Sequence, residues 1–326
     1  MTEFNDNFGD FEVIIVTSPH RSHPDTSMID KVIDSLNLIE NMKNYTLHVV
    51  YDSYNLINEK QKQNTKSGRI SKDLADKYEN FKLNMKEKYQ NNNNNNNNNN
   101  MIRYNHIILK DHNGYAMGVK IGLENCISEY CLVLQHDRAF INIVNCINDL
   151  KKIFLNNNSI RYIHFPTTAS LYHDRLLKYN YTKVSEIYNT KRIQFIEETT
   201  GKSSLLQPMI FLYDSNFICS KSKFLEIYRP WRNMNAEMRE WIGLKSIKDM
   251  LLRKGDFIED RLGQQQRKIL VGDGFDLDIE KRSQIFDWFG MYVAYIDFQP
   301  DLIEQVRYDK KKETVLVGHL RTLFNK

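Results

Sequence analysis

Short, unbroken apolar runs constrain this chain more than any other feature. "FEVIIVT", "YTLHVVY", "YNHIILK" and "YCLVLQ" are each about six or seven residues long and rich in β-branched or aromatic side chains. Between them lie segments with apolar residues at helical spacing. Met28, Ile29, Val32, Ile33 and Leu36 form one stripe, Leu74, Tyr78, Phe81 and Met85 a second, and Ala116, Val119, Leu123 and Cys126 a third. A further helix over "NIVNCINDLKKIF" and a fifth strand over "IRYIHF" continue the alternation. Strands that are apolar throughout, rather than at every second residue, are buried on both faces. Alternating strands and helices of this kind give an α/β fold with a mostly parallel central sheet and helices on both faces.

The polar residues then gain meaning from where the runs stop. In open α/β sheets ligands bind outside the carboxyl ends of the strands. The first run ends at Thr17, Ser18 and Pro19, the second at Asp52, the third at Asp111, His112, Asn113 and Gly114, and the fourth at Gln135, His136 and Asp137. Carboxylates at three strand ends are costly unless hydrogen bonds, a metal or a ligand use them. No GxGxxG follows the first strand, and the chain contains neither GxxxxGK[ST] nor GxSxG. Dinucleotide-binding, P-loop and serine-hydrolase readings therefore lose their main support.

Composition excludes other classes. The 326 residues carry a net charge of +4 from 45 basic and 41 acidic side chains. That excess is too small and too dispersed for a nucleic-acid partner to be expected. No run reaches the roughly 18 apolar residues of a membrane helix, and "MTEFNDNFGDFEVIIVTSPH" lacks the pattern of a signal peptide. The expectation is a cytoplasmic protein without a membrane span. Its four cysteines form no CxxC pair. They are read as reduced, with Cys126 and Cys131 acting as small core hydrophobes. Asn91 to Asn100 is an unbroken asparagine run within a low-complexity loop over 90–100, expected to be disordered because it has no apolar area to bury.

From about residue 11 to 140 the chain resembles the GT-A fold glycosyltransferases, family 2 in particular. The strand ending near "TSP", the second strand ending in an acid, and "DHNGYAMGVKIGLENCISEYCLVLQHD" carry the resemblance. Asn113, Gly114, Gly118, Gly122, Glu129 and Tyr130 match in type and order. The resemblance implies a single GT-A-like domain over 1–326. A nucleotide-sugar-binding half would cover about 11–165, and an elaborated acceptor and catalytic half about 200–326. It implies that Thr17, Pro19, Asp52, Asn113, Gly114, Gln135 and His136 bind the sugar nucleotide, with Asp52 on the base or ribose. The family's DxD motif falls on Gln135, His136 and Asp137. Asp137 is then the ligand of a divalent cation, Mg²⁺ or Mn²⁺, bridging the diphosphate. Gln135 stands where the family has its first acid, so metal binding rests on Asp137, with His319 as a further candidate ligand.

Sugar transfer with inversion needs a general base for the acceptor hydroxyl. "GDFIEDRLGQQQRK" supplies Glu259 and Asp260, with Asp260 placed first, after a long helix expected to end at Gly255. Trp231, Arg232 and Trp241 are aromatic and basic candidates for the rim of an acceptor site, and Lys310 to Lys312 read as a solvated turn. "LLQPMIFLYDSNFICS" reads as two strands around an Asp214–Ser215 turn, followed by late strands over "GMYVAYIDFQ" and "ETVLVGHLRTLF". The implied function is transfer of a sugar from a nucleotide-diphosphate sugar to a hydroxyl of a glycan, protein or small molecule. Two alternatives stay open: a non-catalytic nucleotide- or glycan-binding relative, favoured by Gln135, and a sugar-nucleotide pyrophosphorylase, disfavoured by the lack of glycine in "TSPHRSHPDTS".

The asparagine run yields the first prediction. Loop-closure cost changes by only about 0.6 kcal/mol per doubling of length. Deletion of Asn91 to Asn100 is expected to leave the urea midpoint and ligand binding unchanged. A large drop in the midpoint would show that the run packs against the folded chain.

Overall fold

The computed structural model describes residues 11–40, 42, 44–58, 60–90, 102–167, 170, 182–272, 274–295 and 317–319. The asparagine run and Lys310 to Lys312 lie outside the described residues. The first half reads β1 (Phe11–Thr17), α1 (Ser27–Asp34), β2 (Tyr45–Tyr51), a short pair β3 (Asn55–Leu56) and β4 (Arg69–Ile70), α2 (Lys72–Gln90), β5 (Ile102–Ile108), α3 (Gly114–Asn125), β6 (Tyr130–Gln135), β7 (Arg138–Phe140), α4 (Ile147–Asn156) and β8 (Tyr162–His164). The second half adds β9 (Ile193–Ile196), β10 (Ser203–Pro208), β11 (Phe217–Ser220), β12 (Met291–Tyr295) and β13 (Val317–His319), with helices between them.

Among the described residues nine strands form one sheet in the order β5-β2-β1-β6-β11-β8-β12-β10-β9. β5, β2, β1 and β6 run parallel to one another. β11 is antiparallel to both β6 and β8, so β8 runs with β6, and β12 runs with β8. β10 is antiparallel to β12 and to β9. Only β10 and β11 therefore oppose the common direction, which makes this an α/β fold with a mostly parallel sheet. Strands from both halves of the sequence share that sheet.

The interior is built as the apolar runs dictate. Every residue of β1 is buried, so both of its faces are covered. α3 lies over the face carrying Ile14 and Val16, close enough that the helix needs glycine there. A Cβ on Gly118 would stand 2.7 Å from Val16 Cγ1, and one on Gly122 2.6 Å from Ile14 Cγ2. Val32, Ile33 and Leu36 are buried near the start of the chain, as are Tyr78, Phe81 and Met85 on α2. Among the described residues no helix is long and apolar enough to cross a membrane.

Two strands flank Asp214 and Ser215 as expected, but they are not neighbours in the sheet. β11 inserts between β6 and β8, whereas β10 joins the far side next to β12. The helix expected to reach Gly255 spans Ala236–Met250, and Gly243 breaks its regularity with φ 77° and ψ 148°. That backbone conformation is open to glycine and strained for other residues.

Gly122→Ala tests the helix–sheet contact. Helix propensity alone favours alanine by about 1 kcal/mol. The clash with Ile14 reverses the sign, and a net loss of about 1–3 kcal/mol is expected from overpacking. A stabilised variant in urea denaturation would contradict this packing.

Candidate functional site at the carboxyl edge of the sheet

β1, β2 and β6 end side by side, because Thr17 pairs with Tyr51 and Val16 with Gln135. Asp52, the residue after β2, is 1% exposed. Its Oδ1 accepts the amides of Ser53 at 2.9 Å and Asn113 at 2.7 Å. Its Oδ2 accepts the amide of Gly114 at 2.9 Å and pairs with His112 Nδ1 at 2.8 Å. A carboxylate offers about four lone-pair sites, and all of them are in use. Asp52 thus caps the start of α3, where a negative charge is favoured by the helix dipole. Its carboxylate holds a loop, where the sequence reading aims it at a nucleotide base or ribose. The same carboxylate raises the pKa of His112 above its ordinary value.

The loop passes the geometry on. Gly114 has φ 75°, and a Cβ there would meet Gly255 Cα at 2.6 Å. The amide of Gly255 donates to the Asn113 carbonyl at 2.7 Å, and that of Ala116 to the Asp256 carbonyl at 3.1 Å. Tyr115 stacks on Phe257 at 6.0 Å, and Lys66 Nζ lies 5.4 Å from the same ring. The segment bearing Glu259 and Asp260 is in this way docked on the start of α3.

The β6–β7 turn carries Gln135, His136 and Asp137. Asn216, fully buried, brackets it: its Oδ1 accepts the Gln135 amide at 3.3 Å and its Nδ2 donates to the Arg138 carbonyl at 3.0 Å. His136 Nδ1 lies 3.3 Å from the Val16 carbonyl, and the His20 ring is 6.0 Å from the His136 ring. Asp137 is buried. Pro19 and Thr17 are buried beside this turn, and Thr17 Oγ1 has no hydrogen-bond partner among the described residues. β13 pairs antiparallel with β7, which sets the backbone of His319 opposite Arg138, next in sequence to Asp137.

Asp214 and Glu259 form a second feature. The amide of Glu259 donates to Asp214 Oδ1 at 2.9 Å, and the amide of Asp214 donates to Glu259 Oε2 at 3.3 Å. Asp214 lies in the interior, and burial, reinforced by the nearby charge of Glu259, pushes its pKa well up. The pKa of Glu259 is also raised, first by burial and further by Asp260, while Arg138 and Lys66 act in the opposite sense. Both carboxyls are pushed up, Asp214 more strongly because it is the more deeply buried. Tyr115 OH donates to the Asp214 carbonyl at 2.8 Å and fixes this loop to α3. Glu259 opens a π-helical turn, Glu259–Gly263, a local departure common at functional sites. Asp260 is exposed.

The structure therefore brings Thr17, Pro19, Asp52, Asn113, Gly114, Gln135, His136 and Asp137 to one sheet edge, with Glu259 docked against it and the backbone of His319 returning to it. Asp214 and Asn216 were not singled out by the sequence as site residues. Asp214 reads as a turn residue there, and only the long-range contact with Glu259 distinguishes it.

Asp52→Ala is expected to lose about 3–5 kcal/mol of stability, since it strands a histidine, two buried amides and the half-buried Ser53 amide. The sequence alone suggests a nearly neutral change. In the parent, His112 titrates above 6.5. Its stabilising contribution is present below 6.5 and lost as pH rises through the raised value. In Asp52→Ala the His112 resonance should titrate at its ordinary value. Unchanged stability and titration would contradict the capping role.

No family model matches the sequence, and no curated protein matches it either. Solved structures of S. aureus TarS are similar in outline. TarS 1-349 is 14% identical over 86% of this chain and 70% of that one, with a TM-score of 0.39. TarS 1-349 in complex with UDP-GlcNAc is 12% identical over 85% and 70%, with a TM-score of 0.38. A longer TarS structure is 14% identical over 84% of this chain and 42% of its own, also with a TM-score of 0.38.

Proposed function

We propose that this chain is a nucleotide-sugar-dependent glycosyltransferase that inverts the anomeric carbon, with Glu259 as the general base. The observation that carries the reading is Glu259 itself: a half-buried carboxylate with a raised pKa, held by a reciprocal pair of bonds to Asp214 and docked against the strand ends. A base must lie near working pH to take a proton efficiently. Burial moves Glu259 in that direction, while Asp260 is exposed. The order of the two acids given by the sequence is therefore reversed.

In this reading the donor lies along the ends of β1, β2 and β6. Thr17 and Pro19 line the pocket, and the Thr17 hydroxyl, which has no partner among the described residues, supports a polar ligand there. Asn113 and Gly114 present their turn to the nucleotide, and Asp52 acts by holding that turn. Gln135 and His136 offer uncharged or weakly basic hydrogen bonds to ribose or phosphate. Lys66 and Arg138 bring positive charge toward Glu259. Glu259 accepts the proton of the acceptor hydroxyl as the oxygen attacks the anomeric carbon and the nucleoside diphosphate leaves.

The reading includes a divalent cation at this edge. Asp137 is a buried carboxylate, and the pairing of β13 with β7 returns His319 to its neighbour Arg138. Asp137, with His319 as second ligand, would hold Mg²⁺ or Mn²⁺, which commonly keep one or two protein carboxylates and take the rest from phosphate and water. When bound, the cation neutralises charge on the departing diphosphate.

The test is release of nucleoside diphosphate from a panel of nucleotide-diphosphate sugars in Mn²⁺ buffer. Turnover of at least one donor is expected. Glu259→Gln should lower it by about 100-fold or more, and Asp260→Asn far less. Because Glu259 acts ionised, the acidic limb of the pH–rate profile should lie above 4.5, with activity lost as pH falls through it. Nucleotide binding without turnover of any donor would favour the non-catalytic relative, and full activity of Glu259→Gln would place the base elsewhere.

A further inference from the structure

At the opposite end of β1 the sheet carries a second polar cluster. Glu12 is buried near the start of an otherwise apolar strand, and His48 is buried on β2. His48 Nε2 lies 2.9 Å from Glu12 Oε1. Cys126, at the end of α3, comes down on the same pair. The ligand atoms of Glu12, His48 and Cys126 all lie within 4.8 Å of one another. Strand register adds more sulfur. Cys131 on β6 is the partner of Glu12, and Cys219 on β11 is the partner of Cys131. Register partners project to the same face of a sheet, so both thiols share the face that α3 covers. Cys131 Sγ donates to the Ser128 carbonyl at 3.7 Å, and Ser128 is the residue whose amide Glu12 accepts.

We propose that Glu12, His48, Cys126 and Cys131 form a structural zinc site beneath the carboxyl end of α3. The donor chemistry is the argument. Zinc takes thiolate, imidazole and carboxylate in tetrahedral sites, at about 2.3 Å for sulfur and 2.0–2.2 Å for nitrogen and oxygen. Those bond lengths put neighbouring ligand atoms about 3.3–3.8 Å apart in a tetrahedron. Glu12, His48 and Cys126, already within 4.8 Å of one another, close on the ion by about an ångström, and Cys131, outside that group, moves further to complete the tetrahedron. Mg²⁺ and Ca²⁺ prefer all-oxygen sites, so this sulfur- and nitrogen-bearing set selects against them.

The surroundings have the arrangement a metal ligand needs. Structural sites fix their ligands through outer hydrogen bonds. Glu12 Oε2 accepts the Ser128 amide at 2.6 Å, which orients Oε1 toward His48. The side-chain amide of Asn105 lies 3.0 Å from His48 Nδ1. With zinc on Nε2, Nδ1 carries the proton, and the amide turns its oxygen to accept it. Both thiols bind as thiolates and release their protons to solvent as the metal enters. With Glu12 also ionised, the site carries a net charge of −1, modest for a buried site. The four ligands come from β1, β2, the end of α3 and β6, so one ion would tie the helix that carries the Asn113–Gly114 turn to the strands beneath it.

This site is independent of the proposed transferase, because it lies at the other end of the sheet and uses none of the same residues. The test starts from untagged full-length protein purified without chelator. Elemental analysis should find about one zinc ion per chain. Replacement by Co²⁺ should give the thiolate charge-transfer band and strong visible bands of a tetrahedral site. Cys126→Ser should lose most of the zinc and the charge-transfer band. Cys146→Ser, altering a buried cysteine at the start of α4, should keep both. If Cys126→Ser fails to fold, the accessibility of the parent's thiols decides. Thiol labelling under native conditions should be slow and should accelerate at least tenfold when a strong chelator is added. Protein without zinc that gives no thiolate band with Co²⁺ would overturn the proposal. So would zinc retained in Cys126→Ser, or labelling indifferent to chelator.

Discussion

The buried carboxylate of Asp52 is the interaction on which the candidate site depends. A charge taken out of water costs several kcal/mol unless its hydrogen bonds are met, and here four donors meet them. Two of those donors belong to the loop between β5 and α3 and a third is the first residue of α3, so meeting the charge fixes that loop. The loop in turn anchors the chain from Gly255 to Phe257. The Asn113 carbonyl receives the Gly255 amide, the Ala116 amide reaches the Asp256 carbonyl, and Phe257 stacks on Tyr115. Glu259 is two residues further on. One carboxylate at a strand end thereby positions a second carboxylate more than two hundred residues later in the chain.

Sheet polarity explains why polar chemistry collects where it does. All strands of the nine-stranded sheet but β10 and β11 run the same way, so their carboxyl ends gather at one edge. The apolar segments within the strands stay between helices. At the carboxyl edge the chain places Asp137, Gln135, His136 and the Asp52 loop. The other end of β1 holds Glu12, His48 and the cysteines. Each cluster joins residues from well-separated segments, and each is bounded by α3, whose close packing at Gly118 and Gly122 fixes its distance from β1.

Local pattern carried much of this into the sequence. β1, β2 and β6 follow continuous apolar runs, and "YCLVLQ" coincides with β6 from Tyr130 to Gln135. α3 begins at the Asn-Gly turn that the sequence marks. The features that stayed hidden depend on partners distant in the chain. The residues of β10 and β11 look like adjacent strands, and only the sheet separates them. Asp214 looks like a turn residue, and its contact with Glu259 spans 45 positions. Asp52 was legible as a polar strand end, but its use by the protein's own amides was not. Cys126 and Cys131 read as small core residues, because their nearness to Glu12 and His48 arises from register rather than from spacing.

The proposed transferase would take a nucleoside diphosphate together with a divalent cation at the Asp137 edge. Calorimetric titration of a nucleoside diphosphate in the presence and absence of Mn²⁺ tests it most directly. Binding free energies are linked, so metal and nucleotide must strengthen each other by the same factor, about 5- to 150-fold for typical couplings. The account predicts that enhancement in the parent protein and its loss in Asp137→Asn, which keeps the shape of the side chain and removes its charge. Equal nucleotide affinity with and without Mn²⁺ in the parent would contradict it.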